Sequence, residues 1–315
     1  MGNSTLPGWI GIRIKPLNEE LRRRAIRTLD IFISTLLQET GGKLPDNFVV
    51  TLPKITTPQQ VSFLAAVLEQ LEATHGLANG MLHFELMVET PQTLIADDGS
   101  IALPRLVREG RGRVTAAHFG TYDFTASLNV TAAHQVMQHP LCLFAREIMQ
   151  VSLAGTGIWL SDGSTAVLPV PPHRGEVNPA QRTENTETVH RAWRMHYQDV
   201  RESLRLGLYQ GWDLHPAQLV TRYAAIYSFF LEGLNAAGAR LRNFMDKAAQ
   251  ATLLGEVFDD AATGQGLLNF FLRAINCGAL PEDQVAVRTG LTLEEIRTRS
   301  FVTILRRRTA VKPIP

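Results

Sequence analysis

The sequence has few cysteines, no long apolar run and no recognisable export signal. Of its 315 residues only Cys142 and Cys277 are cysteines. Two cysteines are too few for a disulfide framework, and neither belongs to a Cys-x-x-Cys pair. No run of about 18 apolar residues is present that would cross a membrane, and the N-terminus lacks a basic segment followed by an apolar one. We therefore expect a protein of a reducing compartment, the cytoplasm, without a membrane partner.

The sequence also lacks an excess of charge of either sign. Its 31 Lys and Arg residues oppose 30 Asp and Glu residues, which gives a formal net charge of +1. Such a chain has no global field that would attract nucleic acid or an anionic membrane. With 45% hydrophobic and 19% charged residues, it has the composition of a folded globular protein rather than a disordered one.

Short apolar segments alternate with long helical patterns in the first two thirds of the chain. Helical connections of about a dozen residues or more predict parallel strands in an α/β fold. We divide the chain into a (β/α) barrel domain, residues 1–220, and a helical region, residues 221–315, that packs on the barrel or on a neighbouring subunit of a homo-oligomer. The six segments that resemble strands are residues 9–15, 48–55, 81–89, 114–124, 157–163 and 211–218.

The third of these apolar segments ends on a carboxylate, Glu89. An unpaired charge is costly to bury, so Glu89 either caps the helix that follows or holds a positively charged group. The other five segments also bring an ionisable residue to one rim, because functional groups of parallel βα proteins collect at the carboxyl ends of strands. These residues are Arg13, Lys54, Asp123, Asp162 and His215. Two carboxylates without a fixed histidine partner suit a hard cation such as Mg²⁺.

Five motifs resemble those of a known superfamily. RIKP, LPKI, MVETPQTL, HFGTYDF and GWDLHPAQ occur in the order seen in the citrate lyase beta-subunit-like and HpcH/HpaI aldolase superfamily. The resemblance covers residues 9 to about 220 and implies a (β/α)₈ barrel, the TIM-type barrel of the phosphoenolpyruvate/pyruvate class. The remainder resembles a little-characterised bacterial branch of the same superfamily.

The resemblance also implies a site and an activity. Glu89 and Asp123 would bind Mg²⁺, with Mn²⁺ as an alternative, and Arg13 would contact a substrate carboxylate or enolate oxygen. The backbone of Gly120 and Thr121 would receive a substrate carboxylate. The implied enzyme is a carbon–carbon lyase or aldolase that acts on a 2-oxo acid or an acyl-CoA through a metal-stabilised enolate. Lys54, Asp162 and His215 are candidates to contact these site residues rather than the metal or the substrate.

The sequence departs from the superfamily in two places. Relatives carry two further strands before the RIKP strand, one of them with an acidic D-x-E-D segment. We therefore expect a barrel that lacks its first two strands. Any catalytic group on the acidic segment is absent as well, so the general base is not identified. Residues 97–113 form an additional arginine-containing loop, which either binds a phosphate-bearing substrate or CoA, or is solvated. A barrel without two strands leaves open the alternative of a degenerate protein that only binds or regulates.

A different class of function remains open for the C-terminal region. Residues 285–308 have the pattern of a helix-turn-helix, with Gly290 at the turn. Residues 281–315 contain seven Lys and Arg against four Asp and Glu, which is a weak electrostatic footprint for DNA. DNA binding is therefore an alternative to the lyase, and packing against the barrel is the simpler role of this region.

Overall fold

The first half of the chain folds as alternating strands and helices. The computed structural model describes residues 7–253 and 261–310. Its strands are β1 (Ile10–Arg13), β2 (Phe48–Leu52), β3 (His83–Val88), β4 (Val114–Phe119) and β5 (Trp159–Ser161). All neighbouring pairs are parallel, and the strand order is β1-β2-β3-β4-β5. The predicted α/β fold with a parallel sheet is confirmed.

Helices connect these strands and make up the rest of the described chain. The α-helices are α1 (Arg22–Glu39), α2 (Pro58–His75), α3 (Leu103–Glu109), α4 (Thr121–Ser127), α5 (Pro140–Leu153), α6 (Pro179–Arg205), α7 (Leu219–Leu253), α8 (Ala261–Asn276), α9 (Val285–Thr289), α10 (Leu293–Arg297) and α11 (Phe301–Ala310). None of the described helices is long and apolar enough to cross a membrane.

Local sequence signals explain where the helix α2 begins and ends. Thr57 and Gln60 form a reciprocal capping box, and Pro58 occupies the first helical position, where its missing N–H has no cost. The helix stops at Gly76, whose φ of 67° lies in the left-handed region that glycine adopts without strain. These signals fix the start of the helix close to the end of β2.

The sheet separates an apolar face from a polar one because side chains alternate along each strand. On β3, Phe84, Leu86 and Val88 are buried in the main core. We call this side, which packs against helices, the helix face. Glu85 and Met87 lie on the opposite side, which we call the open face. A cavity of about 350 Å³ on the open face is lined by Trp9, Arg13, Glu85, His118 and Trp159, among other residues.

The prediction of six strands is wrong, because residues 211–218 do not form a strand. Trp212 makes an isolated parallel bridge to Ser164, and a 3₁₀ turn then runs from Pro216 to Gln218. Proline has no N–H to donate to a ladder, which ends pairing at this point. Among the described residues the sheet has five strands with β1 and β5 at its edges, and the eight-stranded barrel stays a prediction.

The two edges of the sheet approach each other at one end. The rings of Trp9, just before β1, and Trp159, the first residue of β5, have centroids 5.2 Å apart and are tilted by 51°. Offset or tilted aromatic pairs at this distance attract each other. This contact joins the sheet edges through side chains rather than through backbone hydrogen bonds.

The described chain divides into two compact units. The first unit contains the residues up to Ala166 together with Gly207–Leu214, and the second contains Val167–Leu206 and the residues from His215 onward. The first unit carries the sheet. The second is helical, and α6 and α7 pack against each other within it. The domain boundary at residue 220 and the homo-oligomer stay predictions.

The C-terminal helices contain a turn of the predicted helix-turn-helix type. Gly290 separates α9 from α10 and has a φ of 72°. Three arginines of this region are engaged inside the second unit. Arg297 pairs with Glu282, Arg308 pairs with Glu295, and Arg288 donates to Asn235. Such pairing leaves these guanidinium groups less available to phosphates, and DNA binding stays an untested alternative.

Residues 97–113 contribute a buried ion pair to the core instead of forming only a solvated basic loop. Arg113 donates to both carboxylate oxygens of Glu72, at 2.7 and 2.8 Å, and both side chains are almost fully buried. Glu72 also accepts hydrogen bonds from the N–H groups of Gly80 and Leu82. Burial raises the pKa of Glu72, but the guanidinium and the two N–H groups together outweigh it and lower the pKa below 4.5.

We expect Arg113→Met to destabilise the protein by about 3–5 kcal/mol, because it leaves the Glu72 carboxylate buried without a positive charge beside it. The double substitution Glu72→Met with Arg113→Met should cost less than the single one. Urea unfolding measures both. The control is Arg111→Met, since Arg111 and Glu69 form a half-exposed pair whose loss should cost at most about 1 kcal/mol. Equal losses for Arg111→Met and Arg113→Met would contradict the assignment.

Candidate active site

Four charged side chains meet where β1, β2 and β3 end. Arg13 is the last residue of β1, Lys54 lies two residues after β2, and Glu89 follows β3 directly. Arg13 Nη2 lies 3.3 and 3.4 Å from the two carboxylate oxygens of Glu89. The fourth residue, Asp123, is bound by the Lys54 ammonium, with 2.7 Å between Nζ and Oδ1. Strands β1 to β3 bring Arg13, Lys54 and Glu89 together, as the sequence predicts, and helix α4 brings Asp123 to the same place.

Glu89 is the buried member of the group, with 2% of its surface exposed. Its Oε1 accepts a hydrogen bond from the backbone N–H of Lys54 at 2.7 Å. Burial raises the pKa of Glu89, and the charge of Asp123 raises it further. Arg13 and the Lys54 N–H act in the opposite direction, but the net direction is upward. The carboxylate is thus held with less positive charge than its burial requires.

Lys54 contributes through an uncommon backbone conformation. Its φ is 51°, in the left-handed region that non-glycine residues rarely adopt and that costs about 1–3 kcal/mol when the structure imposes it. In this conformation its N–H reaches Glu89 while its side chain reaches Asp123. One residue therefore contacts both carboxylates.

Asp123 does not end a strand, which corrects the predicted strand 114–124. β4 stops at Phe119, Gly120 precedes α4, and Asp123 lies in the first turn of that helix. A carboxylate in the first turn is favoured by the helix dipole. The side chain of Asp123 is 44% exposed, so it forms the solvent-facing side of the group.

Glycine is required at position 120 because a side chain would collide with Glu89. An added Cβ would lie 2.6 Å from Glu89 Cβ and 3.0 Å from its Oε2. Gly163 makes a similar close approach, since its Cβ would lie 2.3 Å from Thr121 Oγ1. That Oγ1 is buried and has no hydrogen-bond partner among the described residues. A cavity of about 180 Å³ opens here, lined by Arg13, Met87, Glu89, Phe119, Gly120, Thr121, Tyr122, Asp123, Ser164, Trp212 and Leu214.

Two residues implied to support the site have other roles in the structure. Asp162 follows β5 but is buried and pairs with Arg146, with 2.9 Å between Oδ2 and Nη1. His215 caps the 3₁₀ turn that starts at Pro216, because its Nδ1 accepts the N–H of Ala217. These contacts account for both side chains, and their supporting role in the site stays a prediction.

Three residues of the open face were missed by the sequence analysis. Glu85 and His118 are hydrogen-bonded across β3 and β4, and Trp212 donates to His118. Strand alternation gives a signal for Glu85, which shares a face with Glu89. His118 likewise lies two residues before Gly120. No local pattern marks Trp212, since its neighbour in space is 94 residues away.

The two carboxylates meet the minimum requirement for a hard divalent cation. No group of three or more His, Cys, Asp or Glu side chains within the described part of the chain is arranged to hold a metal. Mg²⁺ commonly uses only one or two carboxylates and completes its shell with water and substrate. Burial is the main cause that raises the pKa of Glu89, and the charge of Asp123 adds to it. A cation bound to the two carboxylates would offset both effects. The donor set therefore fits Mg²⁺.

Comparison with known proteins first gives a family. A family model described as Domain of unknown function (DUF6986) matches residues 1–304. The chain belongs to this family. A search of curated proteins found no match for this DUF6986 member.

Comparison with solved structures found similar chains, among them the following three. A citrate lyase from Burkholderia xenovorans LB400 has 19% identity and a TM-score of 0.56, over 89% of this chain and 77% of that chain. The Haloferax volcanii malate synthase magnesium/glyoxylate complex has 16% identity and a TM-score of 0.49, over 98% and 80%. An HpcH/HpaI aldolase/citrate lyase family protein from Burkholderia cenocepacia J2315 has 12% identity and a TM-score of 0.33, over 62% and 93%.

The comparison with citrate lyase concerns the fold alone at this identity. It confirms the predicted resemblance at that level, because the α/β fold of the DUF6986 chain is similar to that of the citrate lyase structure. The role of each residue rests on the geometry of the site and on the proposal below.

The raised pKa of Glu89 predicts a pH dependence of stability. The folded state binds the proton of the Glu89 carboxyl group more tightly than the unfolded state. The stability that this group contributes is therefore present below pH 4.5, the ordinary pKa of a glutamate, and is lost as the pH rises through the folded pKa. Glu89→Gln should therefore gain stability relative to the wild type over this range, measured as melting temperature without divalent cations. Glu69→Gln is the exposed control. Parallel pH profiles for the wild type and Glu89→Gln would contradict the assignment.

Proposed function

We propose that this DUF6986 protein is a Mg²⁺-dependent carbon–carbon lyase or aldolase that acts on a 2-oxo acid or an acyl-CoA through an enolate. The observation that supports it most is the convergence of Arg13, Glu89 and Asp123 on one small cavity. A reaction that makes or breaks the bond next to a carbonyl group places negative charge on the carbonyl oxygen. Positive groups already in position for that charge lower the barrier.

Glu89 and Asp123 would hold the cation in this proposal. When bound, Mg²⁺ supplies positive charge that stabilises an enolate oxygen. Glu89 is suited to this because Gly120 leaves room beside it and the Lys54 N–H fixes one of its oxygens. The ammonium of Lys54 lies on Asp123 Oδ1 and competes with a cation for that oxygen.

Arg13 would bind the substrate from the opposite side. Its guanidinium contacts Glu89 at 3.3 Å, longer than a close charge-assisted hydrogen bond. Its side chain is 40% exposed, so it has donors available for a second partner. A guanidinium stays protonated and binds carboxylate or enolate oxygens in a defined plane. Arg13 can therefore orient a substrate and share the charge that develops on it.

The size of the cavity favours a small substrate head group. Its volume of about 180 Å³ lies below the range of about 300–1,000 Å³ that encloses drug-sized ligands. The backbone of Gly120 and Thr121 stays the predicted contact for a substrate carboxylate, and the unpartnered Thr121 Oγ1 adds a polar atom there. Arg111 and Arg113 are engaged with glutamates, whereas Arg105 and Arg108 of the same segment are exposed. A CoA thioester therefore stays an alternative to a free 2-oxo acid.

We expect Glu89→Gln and Asp123→Asn to weaken Mg²⁺ binding by about tenfold or more, since each removes one of two charged ligands. Isothermal titration calorimetry with Mg²⁺ alone measures this, and thermal unfolding reports whether each variant folds. Asp97→Asn is the matched control, because Asp97 is exposed and lies in a different loop. Unchanged Mg²⁺ affinity in both site variants would exclude the proposed metal role.

Arg13→Met should leave Mg²⁺ binding nearly intact but weaken the binding of pyruvate and oxaloacetate, because it removes the guanidinium and no carboxylate. Titrations of each acid with saturating Mg²⁺ measure the second effect. Mg²⁺-dependent formation of pyruvate from oxaloacetate tests turnover. Binding of both ligands without turnover of any 2-oxo acid would favour the alternative of a degenerate protein that binds or regulates.

A further inference from the structure

Three side chains on the open face, Glu85, His118 and Trp212, contact one another in series, and the last of them contacts Arg13. Glu85 Oε2 lies 2.8 Å from His118 Nε2. The other ring nitrogen of His118, Nδ1, lies 2.9 Å from the indole nitrogen of Trp212. The Trp212 ring in turn lies under the Arg13 guanidinium, with 6.0 Å from Cζ to the ring centroid. All four residues belong to the first unit.

The chemistry of the partners fixes the direction of these hydrogen bonds. An indole N–H only donates, so Nδ1 of His118 accepts and carries no proton. The proton of the neutral ring is then on Nε2, which donates to the Glu85 carboxylate. Both ring nitrogens are occupied, and His118 is held in one tautomer and one orientation. His118 therefore orients Trp212 and is not the base of a reaction in this arrangement.

Backbone contacts place Trp212 where His118 can reach it. Trp212 pairs with Ser164 in the isolated bridge, and its N–H donates to the carbonyl of Gly163 at 3.2 Å. Its ring also meets the His118 ring edge-on, with centroids 5.5 Å apart. Three contacts thus fix the Trp212 side chain: the backbone pairing, the edge-on contact with the His118 ring and the indole N–H bond to His118.

The contact between Trp212 and Arg13 matters because the guanidinium is loosely held elsewhere. Arg13 is 40% exposed, borders the larger cavity of the open face and contacts Glu89 only at 3.3 Å or more. An aromatic ring attracts a guanidinium over its face and limits the orientations that it samples. The plane of Arg13, which determines where its donors point, then depends on Trp212.

We propose that Trp212, oriented by His118 and Glu85, is a positioning residue that aims Arg13 at the substrate. This inference rests on the proposed function for the role of Arg13, but the contact itself can be tested separately. A purely structural role of these three side chains would affect stability without a selective effect on the ligand that Arg13 binds.

The first experiment compares ligand affinities in the full chain. With saturating Mg²⁺, Trp212→Leu should weaken pyruvate binding by about three- to tenfold, the range expected for a lost cation–π contact. Mg²⁺ affinity should change less than about twofold, because Glu89 and Asp123 remain. Phe63→Leu is the control, since it removes an exposed aromatic ring of α2 that lines neither of the two cavities and should leave pyruvate binding unchanged.

The second experiment tests His118 with a conservative variant. His118→Leu should weaken pyruvate binding as Trp212→Leu does. His118→Gln should restore most of it, because an amide can accept from the indole with its oxygen and donate to Glu85 with its nitrogen. Equal weakening by His118→Leu and His118→Gln, or wild-type pyruvate affinity in Trp212→Leu, would overturn the proposal. If the leucine variant does not fold, Trp212→Phe keeps a ring but lacks the N–H that His118 accepts, so it should weaken pyruvate binding as His118→Leu does. Wild-type affinity in Trp212→Phe would then overturn the proposal.

A spectroscopic readout separates this proposal from the proposed function. In NMR spectra of the protein without ligand, the Arg13 side-chain signals should carry a ring-current shift that Trp212→Leu removes and His118→Leu reduces. If the wild type binds no pyruvate but these shifts are seen, the proposed function fails and the positioning contact stands. Arg13 signals that do not change in either variant would overturn the contact.

Discussion

The buried carboxylate of Glu89 is the constraint on which the site depends. A charge at this depth requires compensation, and the sheet supplies it from two neighbouring strands, through the guanidinium of Arg13 and the N–H of Lys54. Lys54 adopts a left-handed backbone to do so. Compensation is incomplete, since the pKa of Glu89 remains raised, with Asp123 adding to the burial. The group as a whole is balanced, with two carboxylates, a guanidinium and an ammonium. In the proposed function a cation and a substrate would take over these contacts.

The alternation of side chains along the strands determines which residues join this site. Phe84, Leu86 and Val88 fill the core against helices, so Glu85 and Glu89 must face the other way. In a closed barrel that other side is filled by side chains of further strands. With five described strands, polar groups line it instead, and they satisfy one another through the hydrogen bonds of Glu85, His118 and Trp212. The hydrogen-bonded polar residues and the candidate site therefore lie on the same face of the sheet.

Fold and function stand on different ground in this DUF6986 protein. The likeness to citrate lyase supports the α/β fold at 19% identity, and a fold of this kind hosts many chemistries. The proposal of a lyase comes from the site, where two carboxylates and a guanidinium line a small cavity and an ammonium binds one of the carboxylates. The ion pairs Arg13–Glu89 and Lys54–Asp123 stabilise these charges without a ligand. A bound metal and substrate would compete with these ion pairs.

The amino-acid sequence by itself determined the parallel strands, the helices between them and three residues at the strand ends, Arg13, Lys54 and Glu89. These features follow from periodicity, capping residues and the rule that parallel strands end on one edge, all of which are local or topological. The tertiary structure alone decided which charges pair. In the structure Asp162 pairs with Arg146, Asp123 lies in the first turn of a helix, and the sixth apolar segment contains a 3₁₀ turn at Pro216. It also brought Trp212 to His118, because hydrogen bonds and ring contacts between distant residues depend on distances that no local pattern encodes.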